Sequence, residues 1–259
     1  MRFCSLGSGS AGNATLVETG SGASARRLLI DCGFSLRELG LRLARIGLAC
    51  DDLDAVFVTH EHGDHIGCAV TLALQHHVAL WMSRGTWRAI GAPELPAGLL
   101  HFARDGQAID IGGLQLLPFT VAHDAREPLQ LRCSDGAYQL GIATDIGSIT
   151  PHLLANLQGC DALLIECNHD PALLEASRYP ASLKARVSGR LGHLSNETAA
   201  RILQACLHGR LRHIVAAHLS EQNNTPLLAR AQLASVCGAL PDDIVVADPK
   251  RGFAWLGLG

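Results

Sequence analysis

The sequence has few aromatic residues, little net charge and no long apolar run. Only 4% of its 259 residues are aromatic and its formal net charge is −3, so a nucleic-acid partner would need a local basic patch. No run approaches the roughly 18 apolar residues of a membrane span. The first residues contain Gly and Ser before any apolar stretch of signal-peptide length. We therefore expect a cytoplasmic protein without a membrane partner.

Cysteine spacing typical of a structural zinc site is also missing. The nine cysteines are odd in number and form no C-x-x-C pair. Cys4, Cys32, Cys133 and Cys160 lie in apolar or strand-like surroundings. We expect reduced, buried thiols rather than disulfides.

Repeats, low-complexity tracts and linkers are absent, which predicts a single domain over residues 1–259. The 48% hydrophobic content is enough for a large core. Apolar and β-branched runs predict strands at 2–6, 15–19, 27–31, 55–59, 114–121, 138–144, 162–166, 213–217 and 244–247. Helices are predicted from a capping box at Ser35 to about Ile46, from Ile66 to about Gln75, and from Thr150-Pro151 and Thr225-Pro226 onward. This order favours an α/β sandwich with the sheets inside and the helices outside.

Polar residues follow the carboxyl ends of several predicted strands. They are Asp31, His60, His123, Asp145, Glu166 and His218. Active sites of α/β proteins commonly lie at these ends. Residues far apart in the chain are therefore expected to meet at one rim of the sheets.

Residues 59–65 read T-H-E-H-G-D-H, which places three imidazoles and two carboxylates within seven residues. Such side chains bind zinc, iron and manganese. The alternative is a histidine-rich loop in solvent. The motif is followed along the chain by His123, Asp145 and His218, in that order, and each of them comes after an apolar strand. This combination favours a metal centre over the solvent-exposed loop.

These motifs, with Asp31 at the end of Leu28-Leu29-Ile30-Asp31, resemble those of the metallo-β-lactamase superfamily over nearly the whole chain. The resemblance implies an αββα sandwich of two mixed β-sheets flanked by helices, and two divalent metal ions. It implies one ion at His60, His62 and His123, a second at Asp64, His65 and His218, and Asp145 between them. It places Asp31 as a support of the histidine loop and not as a ligand, and Glu61 is expected to point away from the ions.

A closer resemblance is to the YycJ (WalJ) branch of that superfamily, which is linked to 5'-to-3' exonuclease activity on DNA. It is carried by residues 7–15, 166–170, 179–184, 192–196 and 218–224. It implies DNA as the substrate. The native metal stays open among zinc, manganese and iron, because His and Asp sites accept all three.

Two metal ions about 3.5 to 4 Å apart can share a hydroxide that attacks a phosphodiester, a thioester or a lactam. Asp145 stands where the secreted antibiotic-cleaving enzymes have cysteine, which argues against that activity. The segment between Asp145 and His218 is too short for the large inserted domain of ribonuclease J relatives, and no flavodoxin-like partner domain is present. The evidence for cleavage of a phosphate ester comes from one short segment of the chain.

A basic segment precedes Gly192-His193-Leu194-Ser195-Asn196 and carries Arg178, Lys184, Arg186 and Arg190 without an acidic residue. Cations beside a helix start are typical of a phosphate site, although most charge runs are solvated surface. His193 matches a phosphate-contacting histidine of phosphodiesterase relatives. We expect His193 to bind the scissile phosphate and protonate the leaving oxygen, Lys184 and Arg186 to follow the strand backbone, and Asn196 to add a contact.

Asp64 and His193 are thus the predicted catalytic residues. Ser8, Ser10 and Asn13 lie in a glycine-rich turn that either holds another phosphate or only shapes the turn. Glu166 and His169 follow a buried strand and are expected to support the site from behind.

Two other functions remain open. A small-molecule hydrolase, either a cyclic phosphodiesterase or a glyoxalase-type thioesterase, would use the same ligands around a closed pocket, whereas a nuclease needs an open groove lined by cations. A metal-binding regulator without turnover is the third interpretation. It is disfavoured because every expected ligand is present.

Overall fold

Two seven-stranded β-sheets form the centre of the protein. The computed structural model describes residues 1–22 and 24–259. The strands are β1 Arg2–Gly7, β2 Ala14–Thr19, β3 Arg26–Ile30, β4 Ala55–Phe57, β5 Ala79–Met82, β6 Leu100–Phe102, β7 Ile109–Ile111, β8 Leu114–Thr120, β9 Leu129–Ser134, β10 Gln139–Ala143, β11 Ala162–Glu166, β12 His213–Ala217, β13 Val245–Val246 and β14 Phe253–Gly257. Their orders are β14-β1-β2-β3-β4-β5-β6 and β13-β12-β11-β10-β9-β8-β7.

Helices cover the outer face of each sheet. They are α1 Leu36–Ala44, α2 Gly63–Ile66, α3 Ala69–His76, α4 Arg84–Ala89, α5 Pro151–Leu157, α6 Pro171–Ala176, α7 Ala181–Val187, α8 Asn196–Cys206 and α9 Pro226–Cys237. In the described part of the chain, no helix is both long and apolar enough to cross a membrane.

The buried side chains form three layers. Phe3, Leu28 and Phe57 of the first sheet meet Leu131 and Leu164 of the second in the central layer. The outer layers lie under α1 and α3 on one side and under α5, α8 and α9 on the other. Because successive strand residues point to opposite faces, strands buried on both faces need the continuous apolar runs seen in the sequence. The predicted αββα sandwich is confirmed.

Parallel pairing brings the candidate site residues to one edge. Strands β3, β4, β5 and β6 are parallel neighbours in the first sheet, and β10, β11, β12 and β13 are parallel neighbours in the second. The carboxyl ends of parallel strands lie together at one sheet edge. The residues that follow β3, β4, β10, β11 and β12 can therefore meet.

The helix predicted from Ile66 is interrupted in the structure. The short helix α2 begins at Gly63 and ends at Ile66, and α3 begins only at Ala69. Gly67, with a φ of 29°, lies between them because its backbone packs against the carbonyl of Cys32, where a Cβ atom would clash. The predicted helix is therefore confirmed from Ala69 to Gln75, and only its start at Ile66 needs correction.

The capping residues predicted for three helices are confirmed. Thr150 and Thr225 cap α5 and α9 through their hydroxyls, as expected. Ser35 accepts a hydrogen bond from the Glu38 amide at the start of α1. The Glu38 carboxylate binds Arg42 at 2.7 Å and does not complete the predicted capping box.

The cysteines are free thiols. All are buried except Cys237, which is partly buried. The Sγ atoms of Cys32 and Cys68 are 3.2 Å apart, a contact between thiols and not a bond. The expectation of largely buried cysteines is confirmed.

We expect Glu18→Gln to destabilise the protein at neutral pH. Glu18 is 5% exposed and accepts Nε of Arg2 at 2.6 Å and Nε of Arg27 at 2.7 Å. Burial raises the pKa of its carboxyl, but the hydrogen bonds from Arg2 and Arg27 lower it by more, so the folded-state pKa lies below the ordinary value. Replacing the carboxylate should cost about 1 to 3 kcal/mol, the usual range for a hydrogen bond to a charged group.

This contribution is fully present above the unfolded-state pKa of about 4.3 and is lost as pH falls through the lowered folded-state pKa. Urea unfolding at pH 7 and at pH 3 should therefore show a smaller difference between Glu18→Gln and wild type at pH 3. Asp51→Asn, at a carboxylate that is 79% exposed, is the control and should change the free energy of unfolding little. An equal loss at both pH values would contradict the assignment.

Candidate metal centre

Three residues that follow strands at the candidate site have a left-handed backbone conformation. Two of them are candidate ligands, and the third contacts a candidate ligand. Asp31 follows β3 with φ 60°, Asp145 follows β10 with φ 55° and His218 follows β12 with φ 54°. Non-glycine residues rarely adopt this left-handed conformation. Such strain costs on the order of 1 kcal/mol or more, persists only where the surroundings fix it, and concentrates at functional sites.

Three imidazoles meet at the end of β4. His60 Nε2 lies 3.1 Å from His62 Nδ1, and His123 Nε2 lies 3.3 Å from the same His62 atom. His60 and His123 are buried and His62 is partly exposed. One nitrogen from each residue lies within 4.8 Å of the others. The three side chains can therefore ligate one ion.

A second group lies beside the first. Asp64 Oδ2 is 3.5 Å from His65 Nε2 and 3.5 Å from His218 Nε2. These atoms also satisfy the 4.8 Å limit for a common ion. Asp64 and His65 belong to α2, and His218 comes from the other sheet, so the site joins the two halves of the sandwich.

Asp145 lies between the two groups and is 2% exposed. Its Oδ2 is 3.0 Å from His65 Nε2 and 2.9 Å from His218 Nδ1, and its Oδ1 is 3.9 Å from His123 Nε2. Although Oδ2 and His218 Nδ1 are close, they are not aligned for a hydrogen bond to each other, and neither makes a hydrogen bond to another group in the described part of the chain. Buried polar atoms without partners are costly. A divalent cation would satisfy such lone pairs, so the donor set fits a metal.

The pKa shifts differ among the ligands. Burial lowers the pKa of His65 and His218, but the Asp145 carboxylate raises it by more, to about 10 for His65 and well above the ordinary value for His218, so an ion must displace protons from these two imidazoles. Two other shifts favour the ligating protonation states. Burial raises the pKa of Asp145, but His218 and His65 lower it by more, and the pKa lies well below its ordinary value. Burial, and then the neighbouring His65, lower the pKa of His60 well below its ordinary value. A carboxylate and a neutral imidazole are the forms that bind metal.

Asp31 supports the histidine loop and does not face the cluster. Its Oδ2 is 2.7 Å from His65 Nδ1, and its Oδ1 accepts the amide of Thr59 at 2.8 Å. The remaining nitrogen of His65, Nε2, faces Asp64 and Asp145. Glu61 points elsewhere and accepts the Arg126 amide at 2.7 Å.

Glu166 connects the centre to His193. It is fully buried; Oε1 lies 2.7 Å from His193 Nδ1, and Oε2 accepts the amides of Ile146 and Leu194 at 2.8 and 3.2 Å. One carboxylate thus ties together the loops that carry Asp145 and His193. His169 is buried nearby, its backbone pairs with that of Leu194, and its Nδ1 has no partner within the described residues.

The glycine-rich turn contacts the ligands from behind. Ser8 Oγ accepts the amide of His218 at 2.9 Å and donates to Asn13 Oδ1 at 3.1 Å. Asn13 Nδ2 is 3.3 Å from Asp64 Oδ2. Both side chains are buried. Their polar atoms are used inside the protein, so their placement gives them a supporting contact with ligands and not the exposed phosphate contact expected from the sequence.

Ser10, Arg186 and His193 line one cavity of about 190 Å³ together with Asp124 and Tyr179. The His193 side chain is 24% exposed. Arg186 is 64% exposed and its Nε lies 2.8 Å from Asp124 Oδ2. The structure therefore brings these three predicted substrate residues to one open face of the centre.

Two other predicted substrate residues are placed differently. Lys184 is directed to the backbone carbonyl of Glu175 and is not part of the lining of that cavity. Asn196 is 2% exposed, and its amide forms a reciprocal pair with that of Asn224 at 2.9 and 2.8 Å. Burial therefore leaves Asn196 no surface for substrate, and its expected contact needs correction.

Asp124 also lies at the site, although the sequence pattern did not indicate it. Its Oδ1 lies 3.5 Å from His123 Nε2 and 3.8 Å from His62 Nε2. Its position directly after His123 is the feature of the sequence that could have indicated this. The carboxylate links the first imidazole group to Arg186 on α7.

Fold and site together define a metal-dependent hydrolase. A sequence model described as the beta-lactamase superfamily domain matches residues 26–218. The chain belongs to this superfamily.

Curated relatives cover most of the chain. It is 33% identical over 232 residues to the exodeoxyribonuclease WalJ of Streptococcus pneumoniae serotype 2 (strain D39 / NCTC 7466), covering 88% of this chain and 85% of that protein. It is 31% identical over 238 residues to the exodeoxyribonuclease YycJ of Bacillus anthracis, covering 91% and 89%.

Solved structures share the fold. The metallo-beta-lactamase fold protein YhfI from Bacillus subtilis superposes with a TM-score of 0.73 at 18% identity, covering 97% of this chain and 98% of that one. Zn(2+)-bound PqqB from Methylobacterium extorquens also superposes with a TM-score of 0.73 at 17% identity, covering 98% and 100%.

Adding zinc or manganese to metal-free protein should raise its melting temperature. An ion that binds only the folded state at about 100 times its Kd stabilises that state by about 2.7 kcal/mol per site. In a chain of this size the shift is expected to be roughly 5 to 10 °C. Differential scanning fluorimetry across an ion titration measures it.

Two histidine variants test whether the shift in melting temperature comes from ions bound at the proposed ligands. His62→Ala should reduce the shift, because it removes one imidazole of the first group. His152→Ala should keep it, because His152 pairs with Asp105 on the surface. Equal shifts in both variants would contradict the assignment of the centre.

Proposed function

We propose that the protein is a two-metal exonuclease that degrades DNA from the 5' end. The observation that carries the proposal is a complete double ligand group sharing Asp145, in a chain that covers 85% of one exodeoxyribonuclease and 89% of another. Phosphodiester hydrolysis is a reaction that two adjacent divalent ions support.

We assign one ion to His60, His62 and His123. The second ion is assigned to Asp64, His65 and His218. Asp145 contacts both groups, so it is the residue suited to bridge them. Zinc and manganese both suit this donor set, and iron does as well.

When bound, the ions supply a nucleophile from water at neutral pH and offset the charge of the attacked phosphate. The protein's own side chains bind and orient the substrate. His193 Nδ1 is fixed by Glu166, so Nε2 is the ring nitrogen left to contact the phosphate and give a proton to the departing oxygen. The broken P–O bond then leaves a hydroxyl on one product.

Arg186 is a cation that lines the same cavity as His193. Its guanidinium binds Asp124 at the cavity beside His193. A phosphate of the DNA strand can share the guanidinium with this carboxylate, because the guanidinium has five N–H donors and binds both kinds of anion. Ser10 faces the same cavity. Lys184 would act only on a more distant part of the strand.

Degradation of DNA labelled at one end tests the function. Metal-loaded protein should release the label of 5'-labelled DNA first and shorten 3'-labelled DNA stepwise. His62→Ala is the inactive control, and His152→Ala, at a surface histidine, is the matched active control. Intact DNA with continued cleavage of bis-p-nitrophenyl phosphate would contradict the DNA assignment and indicate a small phosphodiester as the substrate.

A further inference from the structure

A second cavity, of about 520 Å³, lies beside the metal centre. Its walls come from the loop after β12, the first turns of α9 and the loop between β13 and β14. Leu219, Val246 and Pro249 give it an apolar surface, and Arg230 and Lys250 give it positive charge. Its volume is within the range of ligand pockets.

This cavity shares a wall with the centre. Leu219 directly follows the candidate ligand His218. Ser8 joins the two, since its Oγ accepts the His218 amide at 2.9 Å and its own amide donates to the Asp248 carbonyl at 3.3 Å. The same glycine-rich turn carries Ser10 to the cavity beside His193. The turn is therefore the rim between the two cavities.

The cations of the larger cavity are only loosely paired. The Asp248 carboxylate accepts the amides of Lys250 and Arg251 at 2.8 and 2.7 Å. No carboxylate of the described chain lies within 4.0 Å of the Lys250 amine. Arg230 has one ion pair, at 3.5 Å to Asp242, which is 96% exposed. Glu221 is the other acidic residue of the lining.

The positive charge continues away from the centre. Arg251 and Arg45 line an adjoining cavity of about 200 Å³. Arg45 Nη1 donates to the Lys250 carbonyl at 2.9 Å, so the two cavities are neighbours. Arg230 and Lys250 line the first of these cavities, and Arg251 and Arg45 line the second. We call these four residues the basic track.

We propose that the basic track binds the phosphate backbone of the DNA strand beyond the scissile bond, with a nucleotide seated in the larger cavity. This inference rests on the proposed function and goes beyond it, because it assigns a path to the polymer. A small phosphodiester needs only the metals and His193, whereas successive cations leading outward match the repeating charge of a strand. The apolar wall suits a sugar and a base.

The double variant Lys250→Gln/Arg251→Gln tests the track. Both side chains are exposed and the bonds to Asp248 use backbone amides, so the turn should keep its shape. We expect KM for DNA to rise about 3- to 10-fold, and the slope of log KM against log salt to fall by about 2, roughly one unit for each lost phosphate contact. Cleavage of bis-p-nitrophenyl phosphate should stay at the wild-type rate.

Two further variants serve as controls. Arg201→Gln/Arg210→Gln removes the same charge from α8 and the loop after it and should behave as wild type on both substrates. The charge-retaining Lys250→Arg/Arg251→Lys should restore the wild-type KM for DNA.

The possible outcomes distinguish a failure of the proposed function from a failure of the basic track. Wild-type protein that leaves DNA intact overturns the proposed function and the track with it. Wild-type protein that degrades DNA while Lys250→Gln/Arg251→Gln keeps its KM and salt slope overturns the track alone. An equal loss in Arg201→Gln/Arg210→Gln, or no rescue by the charge-retaining variant, also overturns the track.

Discussion

Asp145→Asn is expected to abolish hydrolysis, with rates on DNA and on bis-p-nitrophenyl phosphate falling by about 10³-fold or more. That loss corresponds to about 4 kcal/mol in the activation barrier. Asp145 is fully enclosed, and its two oxygens approach His65, His218 and His123. Asparagine has nearly the same shape, but it removes the negative charge and replaces one carboxylate oxygen by an NH2 group, which donates hydrogen bonds and cannot bind a metal ion.

The number of bound ions should fall together with the rate. Metal content measured by mass spectrometry after gel filtration is expected to drop below the wild-type value. Asp161→Asn is the matched control: Asp161 is also buried, but it accepts the Gln139 amide before β11, away from the carboxyl ends of the strands. That variant should keep its metals and rate. An active, fully loaded Asp145→Asn protein would contradict the bridging role.

His193→Gln is expected to lower kcat on DNA by about 10²- to 10⁴-fold while the bound metals remain, since this is the usual contribution of a positioned general acid. His193 is not one of the histidine and aspartate residues assigned to the two ions. Its ligand atom does lie within 4.8 Å of those of Asp145, Glu166 and His218, and Glu166 holds its Nδ1 at 2.7 Å. Glutamine keeps a polar group of similar reach but cannot give up a proton. Single-turnover cleavage of an oligonucleotide measures the effect.

The leaving group distinguishes acid catalysis from simple positioning. p-Nitrophenolate departs without a proton, whereas a deoxyribose oxygen needs one. The loss in His193→Gln should therefore be much larger on DNA than on bis-p-nitrophenyl phosphate. Equal losses on the two substrates would mean that His193 only binds the phosphate. His152→Gln, at a histidine paired with Asp105 on the surface, should leave both rates unchanged.

The sandwich and the meeting of distant residues could be predicted because they depend on simple patterns. Runs such as Ala162–Glu166 are apolar on both faces, which only a strand between two layers requires. His60, Asp145 and His218 follow such strands. Parallel pairing brings Asp145 and His218 to one edge of the second sheet, and the packing of the two sheets brings that edge next to His60. Their roles as ligands stay predictions, although the atoms lie close enough for them.

Other features depend on contacts that no local pattern encodes. The break at Gly67 arises from the backbone of Cys32, distant in sequence. Asn196 looks like an exposed helix start, yet the long-range neighbour Asn224 takes up its amide. Polar residues of turns and caps carry no signal for the direction of their side chains, so Ser8 and Ser10 could not be told apart.

A metal titration shows whether two ions at one site cleave a nucleic-acid backbone. Metal-free protein receives manganese or zinc in fractions of an equivalent, and the initial rate of DNA degradation is measured at each step. For a two-metal nuclease we expect a rate that rises with added ion and reaches its plateau at about two ions per chain. A plateau at one ion, or two bound ions without DNA degradation, would contradict this expectation.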